Sequence, residues 1–343
     1  MSLVFSSTLL FFFGFFNLFG IRPSFAYDHI INFGVGLIVY FLVKKIGRQI
    51  FRSNADFFFW LFFVILILTY VIGYEVKGSK RWIDFFLFNF QPSEFFKIFF
   101  ILYFASFFTQ RAKDLINFPV FLQSLVYFML PTIIIFKQPD LGSSMIFVFI
   151  YLVMVIFSKV PKKFFLSLGV IMAIIGVLFF VTLKDYQKMR FTSFFNPQID
   201  QSGTSYNMIQ AAITIGSGKF FGKGLGWGTQ SRLAFLPENQ TDFAFSALIE
   251  QFGFLGGFFV IGLYFIIIYL LINLVIKNYY KKTDEGCFDF FYSLGLLSYI
   301  FFQFSVNIGM NLGLLPVAGI ALPLISHGGS SIVTWMLGLA LLP

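Results

Sequence analysis

The sequence predicts an all-α integral membrane protein with about ten transmembrane helices. Of its 343 residues, 58% are hydrophobic, only 11% are charged and 57 are Phe, a composition far from that of soluble domains. The mean hydropathy is +0.86. The apolar runs are continuous and approach the ~20 residues that cross a hydrocarbon core. Continuous runs favour helices over barrel strands, in which apolar and polar residues alternate.

Ten apolar runs mark the predicted spans. They cover residues 3–21, 29–43, 57–74, 95–109, 118–136, 141–158, 164–183, 243–276, 288–310 and 331–343. The last run stops at Leu342-Pro343 without the basic residues that usually close a final span, which suggests a truncated C-terminus. We expect residues 1–343 to form a single polytopic domain. A large polar loop, residues 184–242, separates its seventh and eighth spans.

The first run resembles a signal peptide in one respect, because Ser24-Phe25-Ala26 looks like a small-residue cleavage site. No Lys or Arg precedes the run, whereas signal peptides begin with a basic region. We therefore expect the first span to be retained.

The basic residues predict that both chain ends are cytoplasmic. The short loops that this orientation places inside carry most of the short-loop Lys and Arg, namely Lys44, Lys45, Arg48, Arg52, Arg111, Lys113, Lys159, Lys162, Lys163, Lys277, Lys281 and Lys282. The loop at 184–242 is then extracytoplasmic. The formal net charge of +9 favours attraction to anionic inner-leaflet lipids over binding of nucleic acid.

Several kinds of chemistry find no support in the sequence. Cys287 is the only cysteine, which excludes an internal disulfide. His29 and His327 are too few and too far apart to predict a metal cluster. No glycine-rich nucleotide loop follows a strand, so ATP-driven chemistry is unsupported.

Asp242 is the first catalytic candidate. The polar loop ends in PENQTDF and continues directly into the eighth span, which places Asp242 at the bilayer surface beside the start of a helix. An acid in that position is costly unless it is paired or functional.

A second group of candidates follows the third span. Lys80, Arg81 and Trp82 are predicted at the outer interface, where adjacent cations suit either solvent or a phosphate-bearing head group. Trp82 also fits an interfacial anchor.

Glu94 and Lys97 stand three residues apart, on one face of a helix that Pro92 and Ser93 are predicted to start. A salt bridge at a helix end is one interpretation. Lys97 also lies inside the membrane boundary, where an ammonium group requires a partner or a wet cavity.

The remaining polar segments leave structural and functional interpretations open. Asp140, in QPDLGSS, either caps the sixth span or contributes to chemistry. The glycine-rich stretch at 216–228, beside Lys219 and Lys223, is a weak candidate for binding diphosphate oxygens. The Pro- and Gly-rich segment after Asn307 and Asn311 predicts irregular backbone over a cavity.

Several motifs together carry a family resemblance. They are GSKRWID, QPSEFFK, QPDLGSS, GTQSRLAFLPENQTDF and NIGMNLGLLPVAGIALPLISHGGSS. In order and spacing they resemble the shape, elongation, division and sporulation (SEDS) glycosyltransferases, from about residue 60 to the end. GKGLGWGTQS and NIGM are more similar to the RodA-like elongation branch than to the FtsW-like division branch.

Three positions depart from the pattern of the family. Ala234 stands where a glutamate usually precedes FLPE, Gln240 where histidine is common, and His327 where tyrosine is usual. The first departure excludes the transfer of a catalytic role to position 234.

The resemblance implies a polymerase of peptidoglycan glycan strands that uses lipid II on the outer face of the bacterial cytoplasmic (inner) membrane. Asp242 matches the essential outer-loop aspartate, and Lys97 matches an associated lysine in a membrane cavity. The substrate-binding candidates are Lys80, Arg81, Trp82, Glu94, Asp140 and Glu238. The implied partners are a class B penicillin-binding protein transpeptidase and other membrane proteins of the elongation complex, with no nucleic acid.

The expected chemistry is an inverting attack of a sugar hydroxyl on the anomeric carbon of a lipid-diphosphate-linked donor. Asp242 would be the general base, with burial and Lys97 acting on its pKa in opposite directions. Arg81, Lys80 or a bound divalent cation, Mg or Mn, would offset charge on the leaving diphosphate.

Two alternatives belong to other functional classes. A lipid II flippase would also show embedded charge and broken helices, although a transporter should present polar machinery to both faces, and the inner loops here are short and merely basic. A noncatalytic activator of a transpeptidase would depend on its outward-facing surfaces more than on Asp242.

Overall fold

The computed structural model describes residues 2–76, 79–85, 88–112, 115–161, 163–167, 169–170, 176, 185–196 and 204–343. Within these ranges the chain forms thirteen helices and three short strands. The first half contains α1 (Leu3–Ile21), α2 (Pro23–Ile46), α3 (Arg48–Ser53), α4 (Ala55–Ile72), β1 (Tyr74–Val76), β2 (Ser79–Phe85), β3 (Phe88–Phe90), α5 (Pro92–Gln110), α6 (Phe118–Lys137) and α7 (Leu141–Ile156). The second half contains α8 (Asp185–Phe195), α9 (Thr204–Gly218), α10 (Thr229–Arg232), α11 (Ala244–Tyr279), α12 (Asp284–Asn311) and α13 (Gly329–Ala340).

The helical membrane fold predicted from the sequence is confirmed. Seven of the described helices, namely α1, α2, α4, α5, α6, α11 and α12, are long and apolar enough to cross a bilayer. The shorter apolar helices α7 and α13 coincide with the sixth and tenth predicted spans. The seventh predicted span, 164–183, lies mostly outside the described residues, so the total of ten spans stays a prediction.

A small antiparallel sheet was not expected from the sequence. Strands β1, β2 and β3 pair in that order within residues 74–90, between α4 and α5. The segment is rich in aromatic and β-branched residues, which suit strands. From the sequence it was interpreted as a short interfacial connection between two spans. The sheet places Arg81 and Trp82 beside the start of α5.

Helix α5 is the centre of the bundle. In its most apolar stretch 89% of the residues are buried, whereas the corresponding value for α4 is 28%. A helix that is apolar on all sides is buried on all sides, and α5 packs against α4, α12 and α13. Helix α4 presents one face to lipid, so Phe63 lies inside while Phe57 is exposed.

Helix α11 is broken at Gly253, where φ is +71° and ψ is −171°. A Cβ at this position would lie 2.3 Å from the backbone nitrogen of Gly222, so the predicted outer loop (residues 184–242) approaches too closely for any other residue. Past the break, Phe254 and Leu255 donate their backbone N–H groups to the carbonyls of Lys219 and Phe220, at 2.9 and 3.3 Å. The outer loop therefore caps the membrane-crossing part of α11.

Glu250 holds the glycine-rich loop in place. Its side chain is fully buried and accepts hydrogen bonds from Lys223 Nζ (2.9 Å), the backbone of Gln230 and Ser231 (both 2.9 Å) and Ser231 Oγ (2.7 Å). The ammonium group of Lys223 is thus paired with Glu250, while diphosphate binding by the N–H groups of the glycine-rich stretch stays a prediction. The glycines of this loop permit close packing, since a Cβ on Gly218 would lie 2.1 Å from a carbonyl oxygen of α11.

We predict that Glu250→Ala destabilises the protein by about 3 kcal/mol, because it leaves buried N–H donors and an ammonium group without their acceptor. The measurement is thermal unfolding of the purified protein in detergent. The matched control is Glu285→Ala, since Glu285 pairs with Arg48 on the exposed surface and should contribute little. Equal melting temperatures for the two variants would show that Glu250 does not anchor the loop.

Candidate active site

A cavity of about 480 Å³ opens where strand β2, the first turns of α5 and α7, the end of the outer loop and the start of α13 meet. It is lined by six of the eight predicted site residues, namely Arg81, Trp82, Glu94, Asp140, Glu238 and Asp242. The lining also includes Gln91, Arg190 and Gln303, which sequence reasoning did not place in the site. It further includes His327 and the stretch 328–331, from the segment that was predicted to lie over a cavity.

The backbone of Asp242 is fixed by two asparagines near the end of α12. Asn307 and Asn311 donate their side-chain N–H groups to the carbonyl oxygen of Asp242, at 3.1 and 3.0 Å. Asn311 also accepts from the backbone N–H and hydroxyl of Ser246, at 3.0 and 2.6 Å. The amide groups therefore join the end of the outer loop to the first turn of α11.

Residues 312–328 form the predicted break between spans. Their backbone is non-helical and borders the cavity at 318–321 and 327–328. Ser326 Oγ donates to the Thr241 carbonyl (2.6 Å), and the His327 N–H donates to the Gln240 carbonyl (2.7 Å). These contacts hold the segment against the stretch that ends in Asp242.

Arg190 is the principal site residue missed from sequence. A Cβ built on Gly319, whose φ is +68°, would lie 3.4 Å from Arg190 Nη1 and 3.8 Å from Asp242 Oδ2. The guanidinium and the carboxylate therefore approach the same glycine. Arg190 also donates to the Val317 carbonyl at 3.5 Å. The sequence offered little signal, because Arg190 is one of several basic residues in a long loop.

Lys97 is not among the residues that line the cavity, but it contacts Glu94, which is. The ammonium nitrogen is 2.5 Å from Glu94 Oε1 and 5.1 Å from the centroid of the Tyr299 ring, and the lysine is fully buried. The salt bridge between Glu94 and Lys97, one of the interpretations left open by the sequence, is therefore present. An influence of Lys97 on the pKa of Asp242 stays a prediction. Glu94 Oε2 is buried without a hydrogen-bond partner among the described residues.

Arg81 is bound to the turn before α7. Its guanidinium donates to the carbonyls of Gln138 (3.0 Å) and Pro139 and lies 3.6 Å from Asp140 Oδ1. Lys80, its neighbour, is exposed and outside the lining of the cavity. Of the two adjacent cations, Arg81 is thus the one that faces the cavity.

Asp140 is the N-cap of α7, which was one of the two interpretations left open. Its carboxylate accepts from the backbone and hydroxyl of Ser143, at 3.1 and 2.8 Å, and from Gln91 Nε2 at 3.3 Å. Because Asp140 also lines the cavity, one side chain both starts the helix and contributes to the cavity wall.

His327 adds an imidazole to the wall. Its Nε2 lies 3.5 Å from Asp28 Oδ2. Burial lowers the pKa of His327, while the Asp28 carboxylate acts against that shift. The imidazole is therefore neutral near pH 7.

The carboxylates of the cavity do not form a ready metal site. No cluster of three or more His, Cys, Asp or Glu side chains with metal-binding geometry occurs in the described ranges. The described residues therefore do not fit the divalent cation considered from sequence.

Comparisons with known proteins agree with these features. The FtsW/RodA/SpoVE family model, described as a cell cycle protein, matches residues 1–343. A probable peptidoglycan glycosyltransferase FtsW of Hydrogenovibrio crunogenus is 32% identical over 329 residues, which cover 94% of this chain and 82% of the relative. The peptidoglycan glycosyltransferase MrdB of Escherichia coli K12 is 33% identical over 309 residues, covering 89% and 80%.

A solved structure shares the fold. This structure is described as showing structural coordination of polymerization and crosslinking by a peptidoglycan synthase complex. One of its chains superposes with a TM-score of 0.81 at 25% identity, covering 99% of this chain and 95% of that one. The match over the whole length, the relatives and the shared fold agree with the motif resemblance. The chain therefore belongs to the FtsW/RodA/SpoVE family.

Proposed function

We propose that this membrane protein is a peptidoglycan glycosyltransferase that polymerises glycan strands from lipid II, with Asp242 as the general base. The observation that carries the proposal is the cavity, in which Asp242 lies with Arg81, Glu94 and Arg190. The names of the relatives as peptidoglycan glycosyltransferases support the reaction class.

In the proposed reaction, Asp242 takes the proton of an acceptor sugar hydroxyl as its oxygen attacks the anomeric carbon of the donor. The bond between that carbon and the lipid diphosphate breaks, and the diphosphate leaves with the electron pair. A single displacement inverts the anomeric centre and converts an α-linked donor into a β-linked strand. The side-chain amides of Asn307 and Asn311 donate to the backbone carbonyl of Asp242 and so keep the base in one position.

The cations have separate roles in this scheme. Arg190, which approaches Gly319 together with Asp242, can orient the carboxylate and meet negative charge in the cavity. Lys97 pairs with Glu94 Oε1 and balances its charge. The other oxygen, Glu94 Oε2, is then left to bind a sugar hydroxyl.

We further propose that the chain acts in cell elongation, at the outer face of the bacterial inner membrane, together with a class B penicillin-binding protein. The motifs GKGLGWGTQS and NIGM support the elongation role, although the relatives include both FtsW and MrdB proteins. The structural neighbour from a synthase complex for polymerization and crosslinking supports a transpeptidase partner. The distribution of basic loop residues supports the outer location of the cavity.

The first test is polymerisation of labelled lipid II by the purified protein, alone and with a matched transpeptidase. We expect strands from the wild type and at least ~100-fold less product from Asp242→Ala and Asp242→Asn, because the acceptor hydroxyl then lacks its base. Melting temperatures close to that of the wild type would show that both variants are folded. Full activity of Asp242→Asn would refute the base assignment. If wild type makes no strands even with the partner, a lipid-translocation assay should follow, because a flippase would then be the better interpretation.

A second prediction concerns the asparagines that hold Asp242. Asn307→Asp replaces an N–H donor by a carboxylate oxygen that faces the carbonyls of Asp242 and Ile320. We expect kcat to fall about 10-fold or more while KM changes little, because a displaced base affects the transition state more than substrate binding. The matched control is Asn54→Asp, in which an exposed amide also donates to a backbone carbonyl. A rise in KM at unchanged kcat would contradict the positioning role.

A third prediction separates structural from functional roles of the buried ion pair. Lys97→Met alone should be strongly destabilising, since it leaves Glu94 charged in a buried setting. The double variant Glu94→Gln/Lys97→Met removes both charges and should recover much of the lost stability. We expect it to remain at least ~10-fold impaired in polymerisation, because the cavity loses a carboxylate oxygen. Recovery of full activity in the double variant would show that the pair is only structural.

A further inference from the structure

Glu94, Gln303 and Ser331 line the cavity, and each carries a buried polar atom with no hydrogen-bond partner in the described part of the chain. These atoms are Glu94 Oε2, Gln303 Oε1 and Ser331 Oγ. A buried polar atom without a hydrogen bond is destabilising, so native proteins rarely leave one unpaired. Their concentration around one cavity indicates a ligand that supplies the missing partners.

Gln303 presents an acceptor whose direction is fixed. Its side chain is 1% exposed, and its Nε2 donates a hydrogen bond to the carbonyl of Ala321 at 2.9 Å. The reverse placement of the amide would set Oε1 against that carbonyl, so that two acceptors would face each other. Oε1 is therefore the atom that Gln303 leaves for a ligand, and an amide oxygen can only accept a hydrogen bond.

These atoms require a ligand that donates hydrogen bonds. The oxygens of Glu94 and Gln303 are acceptors, whereas the hydroxyl of Ser331 can donate or accept. A lipid-linked diphosphate offers only acceptor oxygens, so it does not match Glu94 and Gln303. The hydroxyl and N–H groups of an amino sugar do match them.

Apolar side chains accompany Gln303 in the cavity. Ile320 precedes Ala321, whose carbonyl holds the Gln303 amide, and Ile146 belongs to α7, which packs against α12. Both isoleucines line the cavity. An acetamido group combines an N–H donor with a methyl group that gains from apolar contact, whereas a hydroxyl has no apolar part. The combination of a neutral acceptor with apolar side chains therefore favours an acetamido group over a hydroxyl as the partner of Gln303.

We propose that Gln303 Oε1 accepts the N–H of a substrate acetamido group, whose methyl packs against Ile146 and Ile320, and that Gln303 thereby selects N-acetylated amino sugars. This inference rests on the proposed function and deepens it. Both sugars of lipid II carry an acetamido group on the carbon next to the anomeric carbon. The contact would therefore fix a sugar ring within the cavity that contains Asp242. No covalent bond forms or breaks at Gln303, which determines specificity and orientation.

The first test changes the substrate and leaves the protein intact. Binding to wild-type protein in nanodiscs is measured for lipid II and for two analogues in which one acetamido group is replaced by acetoxy. The acetoxy group keeps the methyl and the carbonyl but has an ester oxygen in place of the N–H. One analogue carries the change on the sugar bonded to the diphosphate and the other on the terminal sugar, so the comparison also shows which sugar Gln303 contacts.

We expect at least one analogue to bind at least ~10-fold more weakly than lipid II. The ester oxygen would then face Gln303 Oε1 without a donor, and a site built for an N–H group rejects an analogue that lacks it. Equal affinities for lipid II and both analogues would overturn the proposal, whatever the behaviour of any variant.

Gln303→Leu removes the acceptor at similar volume. It also leaves the Ala321 carbonyl without its donor, so some loss of stability and of affinity is expected for structural reasons alone. The ratio of the affinities for lipid II and the weaker analogue separates the two effects, since it should approach unity only if Gln303 contacts the N–H group. A ratio as large as that of the wild type would overturn the assignment to Gln303.

The matched control is Gln251→Leu. Gln251 is also 1% exposed, and its Nε2 also donates to a backbone carbonyl, that of Asn17 at 3.0 Å, but it lies outside the lining of the cavity. This variant should keep the wild-type ratio of affinities. Loss of the ratio in Gln251→Leu as well would assign the effect to general damage of the fold and contradict the specific role of Gln303.

Failure of the sugar site and failure of the proposed function remain distinguishable. If wild type polymerises lipid II and both analogues with equal kcat/KM, the acetamido site is wrong and the glycosyltransferase stands. If wild type makes no strands but binds lipid II more tightly than an analogue, the site stands and the polymerase does not. Absence of any lipid II binding would overturn both.

Discussion

The active-site region depends on hydrogen-bond partners for the N–H and C=O groups of its non-helical backbone beside a membrane. Unpaired N–H and C=O groups are too costly in hydrocarbon, so non-helical segments at this depth must find partners within the protein. Here the partners are side chains of a neighbouring helix. Asn307 bonds both the Asp242 and Ile320 carbonyls, so one amide joins the two irregular stretches that border the cavity. Without such contacts, carbonyl groups of both stretches would lack hydrogen-bond partners.

The abundance of phenylalanine has two physical uses that the sequence cannot separate. Around α5 the rings pack with each other, as in the pair Phe62 and Phe99, whose centroids are 4.3 Å apart. On α4 and α11 similar rings face outward, where lipid replaces protein as the apolar surrounding. The composition therefore predicted the membrane class and the span positions well, but it gave little information on which face of a helix packs inward.

The sequence predicted which polar residues line the cavity better than it predicted the partners of those residues. Asp242, Glu94 and Asp140 were identifiable because each acid stands beside the start of an apolar helix, where an unpaired charge is costly. The partner of Lys97 was left open, since an embedded ammonium can pair with Glu94, within one turn of it, or with a carboxylate from elsewhere, and the structure shows Glu94. Arg190 and His327 reach the cavity only through the path of the chain between spans, which local patterns do not encode.

The geometry links Asp242 to the start of α13 through very few bonds. Thr241 and Gln240, just before Asp242, accept hydrogen bonds from Ser326 and His327, and the chain reaches the N-terminus of α13 one residue later. The stretch that ends in Asp242 and the segment that leads into α13 therefore belong to one hydrogen-bonded unit. In the proposed reaction, such a fixed spacing would lower the cost of aligning the base with the donor and acceptor.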